Sequence, residues 1–398
     1  MRSPYELDIT LGLEYFVTSY QGVGGKLRYM PQDFYVEEIS LPCSGKEEDG
    51  EYLHFTLEKI NWDTMSAIQA LARAVNAHPR RFGYAGNKDK RALTKQRVSV
   101  HGVSEERLRK AVLPGIELYD FKRAEKPIRL GDLAGNRFRI IARLVEAGDV
   151  EELETRLAAI REELGSKGIP NYFGYQRFGV IRPNTHLVGR ELVRGSIKNA
   201  VMKYLGSPFP MEKDDARDAR KYFDETLDYE EALKRFPDRL RYERAMLRHL
   251  VKNPRDYAGA LRQLPRKLGI LLVHAYQSYL FNKVLSRAIE AGIDFRGLKI
   301  SLFGYETHPG DGPLGELEKE VLEEEGIVPK NFWIRSMPEY STRGYRREAC
   351  IETEIDITAD EDDINPGKKA FAASFTLPKG SYATVVMREF MKTDPLNY

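Results

Sequence analysis

EYLHFTLEKINWDTMSAIQALARAVNAH, residues 51 to 78, changes its period halfway along. Up to Lys59 the apolar Leu53, Phe55 and Leu57 alternate with more polar residues, the period of a half-buried strand. Beyond Asp63, a side chain suited to an N-cap, Met65, Ile68, Leu71, Ala72 and Val75 recur at helical spacing. Further strands read at QRVSVHG (96 to 102) and NRFRIIARLV (136 to 145), and ELETRLAAIREEL places Leu153, Leu157, Ile160 and Leu164 on one helical face. The first 165 residues therefore read as α+β, with strands and helices mixed.

The texture then changes. From about Asn184 to Ala291 the pattern is helical and highly charged, ending in the apolar LGILLVHAYQSYLFNKVLSRAI. Near Arg343 the strand period returns: ACIETEIDI sets Ile351, Thr353, Ile355 and Ile357 on one side, and KAFAASFTL does the same with Phe371, Ala373, Phe375 and Leu377. SYATVVMREF reads as a closing helix capped by Ser381. Strand-rich segments flanking a helical block imply a discontinuous sheet domain, residues 1–183 and 345–398, interrupted by a mainly helical α/β domain at 184–344.

Composition narrows the function. A 398-residue chain exceeds one ordinary core, so at least two domains are expected. It has no 18-residue apolar run and no signal-peptide start, which points to the cytoplasm. Cys43 and Cys350 are the only cysteines, too few for a disulfide framework or a multi-Cys zinc site. The seven His lack metal-ligand spacing, so no metal is expected.

Net charge is only +2, but its distribution is uneven. Between Pro79 and Arg97 stand Arg80, Arg81, Lys88, Lys90, Arg91, Lys95 and Arg97 against the single acid Asp89; more base follows in FKRAEKPIRL and GNRFRIIAR, and the acid collects in GELEKEVLEEEG (315 to 326). This segregation suits a surface that tracks phosphates, and it equally describes a solvated surface of mixed charge.

The chemistry centres on YAGNKDKR (84 to 91). NKDK is near the guanine-reading NKxD box, but the aspartate falls one position early and no GxxxxGK[ST] loop exists, so a nucleotide hydrolase is excluded. No G-x-S-x-G elbow is present. Asp89 itself, in a loop that Gly86 allows to turn sharply, has its charged form favoured by the neighbouring cations and suits nucleophilic or general-base work. Alternatively it caps the turn and pairs with Lys90. NYFGYQRFG (171 to 179) interleaves four aromatics with Asn171, Gln176 and Arg177, the composition of a base-stacking platform or, more plainly, of a core segment.

Together these stretches resemble the TruD family of tRNA pseudouridine synthases. PQDFYVEE (31 to 38), YAGNKDKRALTKQ (84 to 96), RLGDLAGNRF (129 to 138), NYFGYQRFG, YLFN (279 to 282) and FTLPKGSYATVVMRE (375 to 389) occur in the family's order across most of the chain. The similarity thins at about 183–270 and 292–340, an enlargement that looks archaeal or eukaryotic rather than bacterial. The resemblance implies a pseudouridine-synthase catalytic domain carrying the family's inserted TRUD domain. It implies isomerisation of a tRNA uridine, typically position 13, without a cofactor. Asp89 falls on the family's catalytic aspartate, Phe173 on the aromatic that stacks on the target base, and Asn171 on the asparagine that organises the site. Arg28 stands where the family commonly has Lys, and either Arg28 or Lys26 is expected to pair with Asp89. Arg80, Arg81, Lys88, Lys90, Arg91, Lys95 and Arg177 are the expected RNA contacts. The aspartate has three available routes: attack at C1′, removal of the C2′ proton, or attack at C6. Two rivals are a non-catalytic tRNA-binding or chaperone protein on the same scaffold and an N-glycosidase that would release uracil.

Overall fold

The computed structural model describes residues 1–41 and 50–398. Cys43 lies outside the described residues. The chain divides into two compact units, Thr18–Ile169 with Ile351–Tyr398 and Met1–Val17 with Pro170–Cys350.

The first unit is built on a nine-stranded sheet. Its strands are β1 (Gly24–Lys26), β2 (Phe34–Ser40), β3 (Tyr52–Ile60), β4 (Phe82–Tyr84), β5 (Leu93–His101), β6 (Ile116–Ala124), β7 (Leu133–Val145) and the later Ile355–Glu361 and Lys369–Pro378. From one edge the order is Ile355–Glu361, Lys369–Pro378, β7, β2, β5, β3, β6, with β1 beside β7 and β4 beside β5. β2 and β5 run parallel and the other pairs antiparallel, so the sheet is mixed. On β3 the alternation predicted from sequence buries Leu53, Phe55 and Leu57 against the Thr64–Ala74 helix, through Ala67, Ile68, Leu71 and Ala72. Asp63 caps that helix by accepting from the Ser66 N–H at 2.9 Å. Met65, expected inward, is exposed, because the buried stripe starts one residue earlier at Thr64.

Leu153, Leu157, Ile160 and Leu164 form the buried face of the Val150–Lys167 helix, and Phe371, Ala373, Phe375 and Leu377 that of the Lys369–Pro378 strand. Two boundaries differ from expectation. Cys350–Ile351 forms a short strand and strand pairing resumes at Ile355, leaving Thr353 in an irregular link between them, and the closing helix Ala383–Met391 has Tyr382 rather than Ser381 at its N-cap position.

The second unit is mainly helical, with Thr185–Val193, Ile197–Leu205, Asp214–Thr226, Tyr229–Arg235, Arg241–Lys252, Arg266–Glu290 and Gly312–Glu324, and one antiparallel ladder of Lys299–Leu302 with Tyr345–Glu348. The 25-residue helix Arg266–Glu290 is its axis. Gly189 lets the Thr185–Val193 helix approach it closely, since a Cβ there would stand 2.1 Å from the Leu272 carbonyl oxygen. Asn282 on the axis exchanges hydrogen bonds with the Phe173 backbone and donates to the Leu11 carbonyl, while Ser286 donates to that of Gly12. These bonds tie residues 1–17 and 171–179 to this unit, although the sequence pattern grouped them with the sheet.

One buried network in the sheet unit reaches toward the site. Arg143 on β7 holds Asp33 at 2.9 Å and Asp362 at 2.9 Å, and Asp33 accepts the Met30 N–H at 2.8 Å, fixing the turn that follows Arg28. Burial alone would raise the pKa of Asp362, but hydrogen bonds from Asn365, the Leu144 and Ile364 N–H groups and Arg143 bring it down to about 2. A carboxylate whose folded pKa lies below its usual 3.8 adds stability above that pH and loses it as pH falls toward 2. Arg143→Leu strands two buried carboxylates, so the expected loss in urea denaturation is about 3–5 kcal/mol; a shift below about 1 kcal/mol would contradict this account.

Candidate active site

Asp89 occupies the loop between β4 and β5. Its side chain is 52% exposed and meets the Arg28 guanidinium at 2.5 Å, so it is half open to solvent rather than enclosed by base. Arg28 is itself largely buried, with its Cζ 4.2 Å above the Phe34 ring and its backbone in the left-handed region at φ +53°. A non-glycine residue held there costs energy that its surroundings must offset, a pattern common at working sites. Burial pulls the Arg28 pKa below its usual value, and the Asp89 charge opposes that shift. Lys26 on β1 is exposed, and Arg28 is the residue that pairs with Asp89, not Lys26 or Lys90.

The loop is held by a frame that the sequence reading missed. Gln96 on β5 donates to the Gly86 carbonyl at 3.1 Å. Thr64 accepts the Lys88 N–H at 2.9 Å and donates to Gln96 at 2.8 Å. Lys59, at the end of β3, donates to the carbonyls of Trp62 at 2.5 Å, Asp89 at 3.2 Å and Lys88 at 3.5 Å. Lys59, Thr64 and Gln96 are all buried. The legible signal was phase: Lys59 continues the inward series Leu53, Phe55, Leu57, where a lysine needs a reason to be. Gly86 carries no positive φ, so the turn does not depend on glycine's freedom; the side-chain frame sets its course.

The expected RNA contacts separate by environment. Arg80, Arg81, Lys90 and Arg91 are exposed. Lys95 is partly covered, 3.3 Å from Glu58 and near the Tyr35 and Tyr119 rings. Lys88 is a correction: its ammonium is buried against Glu38 at 2.8 Å and is committed to holding the loop, not to meeting phosphates.

In the helical unit the structure gathers Asn171, Phe173 and Arg177. The Phe173 ring is nearly buried, edge-on to Phe281 at 5.4 Å and 86°, with the Arg347 Cζ 4.3 Å and the Arg177 Cζ 5.5 Å from its centroid. Arg347 donates to Asn171 Oδ1 at 2.5 Å, and Asn171 Nδ2 donates to the Glu348 carbonyl at 2.9 Å. Arg177 donates to Ser278 at 3.0 Å. Tyr172, Tyr175 and Phe178 are core residues, with Tyr172 hydrogen-bonded to Ser286 and Tyr175 to Asp8, so most of NYFGYQRFG is packing rather than an open platform. Arg347 was missed, although the basic and aromatic stretch TRGYRRE (342 to 348) carried a signal for it. Among the described residues no group of three or more His, Cys, Asp or Glu is placed to hold a metal ion, and no helix is long and apolar enough to cross a membrane.

Comparison with known proteins bears on what these arrangements do. The family model described as tRNA pseudouridine synthase D (TruD) matches residues 10–299 and 297–390. A Methanosarcina mazei protein designated tRNA pseudouridine synthase D is 40% identical, with 98% of each chain covered. Its counterpart in Methanopyrus kandleri is 42% identical over 87% of this chain and 86% of its own length. The crystal structure of a Methanosarcina mazei protein of the same designation matches with a TM-score of 0.87 at 39% identity, covering 100% of both chains.

Proposed function

This chain belongs to the TruD family of tRNA pseudouridine synthases, and from that premise we propose that Asp89 is the carboxylate that acts on the uridine, at position 13 of tRNA. The protein isomerises uridine in tRNA to pseudouridine, on the pseudouridine-synthase fold with an inserted domain. The observation that carries the assignment of Asp89 is its mounting: a half-exposed carboxylate paired with a largely buried arginine, on a loop fixed by three buried polar side chains. A surface that only bound RNA would gain nothing from displaying an acid among phosphates.

Isomerisation breaks the N1–C1′ bond, turns the uracil while it is held, and joins C5 to C1′, with the C5 proton leaving to solvent and N1 taking a proton up. Nothing is oxidised, reduced or hydrolysed. Asp89 serves this by attack at C1′, by taking the C2′ proton or by attack at C6, and each route needs a basic oxygen in a fixed position. The uridine must first leave its stack, at a cost of about a few kcal/mol, which contacts to Arg80, Arg81, Lys90 and Arg91 and stacking on Phe173 offset. Stacking on the Phe173 face that Arg347 covers requires the uracil to take the guanidinium's place. Asn171, bound to Arg347, then organises the site from the same cluster. Substrate and enzyme meet in the cytoplasm.

Incubating unmodified tRNA with the protein and mapping pseudouridine by carbodiimide-stopped primer extension tests this reading. A single new stop, one nucleotide 3′ of position 13, is expected. Release of free uracil, or tRNA binding with no new stop, would overturn it.

A further inference from the structure

Lys59 is a buried lysine with no carboxylate among its hydrogen-bond partners. Its three N–H donors are matched to three carbonyl oxygens, those of Trp62, Lys88 and Asp89. An ammonium taken out of water without an ion pair is costly, and it persists only where its surroundings make its removal costlier still. Here two of its acceptors are consecutive peptide units of the loop, and one belongs to Asp89 itself.

We propose that Lys59 is a positioning residue for Asp89: its ammonium clamps the carbonyls of residues 88 and 89, fixing the backbone from which the carboxylate projects, and the reaction slows when that ammonium loses its proton. This rests on Asp89 being the reacting carboxylate. Arg28 orients the side chain from outside the loop, whereas Lys59 holds the main chain. Thr64 and Gln96 hold the Lys88 N–H and the Gly86 carbonyl but cannot replace a clamp at residue 89. A neutral amine keeps two donors for three carbonyls, so the loop loses one anchor on deprotonation.

The charged groups facing Lys59 are Asp89 and Asp63, which favour its proton, and Lys88, which opposes it and is itself held by Glu38. Burial dominates and pushes the Lys59 pKa down to about 8 from the usual 10.5. The linkage has a definite sign. Between those values the unfolded chain holds more proton at residue 59 than the folded one, so this group's contribution to stability rises with pH. Activity and this stability term therefore move in opposite directions across one window.

The test uses the full chain, excess enzyme and tRNA bearing 5-tritiated uridine, with rates taken under single-turnover conditions across pH. The wild-type rate is expected to fall through an alkaline limb near pH 8, below the limb set by the uridine N3–H. Lys59→Met and Lys59→Gln are expected to lose about 10- to 100-fold in rate at neutral pH, with tRNA affinity nearly unchanged and the lower limb gone. Lys59→Arg restores charge and donors and is expected to recover part of the rate and to move its pH dependence upward. A wild-type profile flat to the uridine limb would overturn the proposal even if no variant folds, as would variants that are slow but keep the same limb. Asp89→Asn in the same assay separates the two failures: an active Asp89→Asn removes the premise, whereas an inactive one beside fully active Lys59 variants removes only the clamp.

Discussion

Asp89→Asn is expected to abolish tritium release from 5-tritiated tRNA, with a single-turnover rate lower on the order of 10⁴-fold or more, as when a group that reacts directly is removed. The amide keeps the shape of the side chain and its contact with Arg28 but removes the basic oxygen that every available route requires. The protein should otherwise remain intact. Because the Asp89 side chain is half exposed, losing its ion pair should shift stability by less than about 1 kcal/mol, visible as a nearly unchanged thermal midpoint. Affinity for tRNA should hold or rise slightly, since one negative charge leaves a surface that meets phosphates. A variant within tenfold of the wild-type rate would remove Asp89 from the chemistry.

How far the sequence announced this arrangement can be followed residue by residue. Period alone located β3, the helix after it and the Val150–Lys167 helix, because each has one wet and one dry face. The acid among bases drew attention to the right loop. Local composition could not reveal partners distant in the chain: Arg28 lies 61 residues from Asp89, and Lys59 lies 30 away. The same blindness misplaced Lys88, which lies in a stretch of sequence rich in cations but whose neighbour in space is the buried Glu38. NYFGYQRFG misled in a different way. Its aromatics looked like a platform because their polar companions seemed out of place in a core, yet the Glu348 carbonyl satisfies Asn171 and Ser278 satisfies Arg177, while Ser286 and Asp8 take up the hydroxyls of Tyr172 and Tyr175. A strand register can be read along one segment, whereas a hydrogen-bond frame assembled from β2, β3, β5 and the first residue of a helix cannot.

Phe173 should show its role through a split between turnover and binding. Phe173→Ala is expected to lower the turnover of bound tRNA by about 10- to 100-fold, the equivalent of the roughly 1–3 kcal/mol that one base–aromatic stack contributes. Affinity for tRNA should change by less than about threefold, because phosphate contacts supply most of the binding. The alanine also opens a void beside Phe281 in a nearly buried position, so a stability loss of about 3–5 kcal/mol is expected alongside. Phe173→Leu separates these effects. Leucine retains much of the volume packed on Phe281 but offers no π-face to a base or to the Arg347 guanidinium 4.3 Å away, so it should recover most of the stability and little of the rate. Single-turnover kinetics and filter binding on both variants, with thermal melts, decide the matter. If turnover and affinity fall by equal factors, or if leucine restores the rate together with the stability, then the ring serves only to pack the helical unit and the uracil stacks elsewhere.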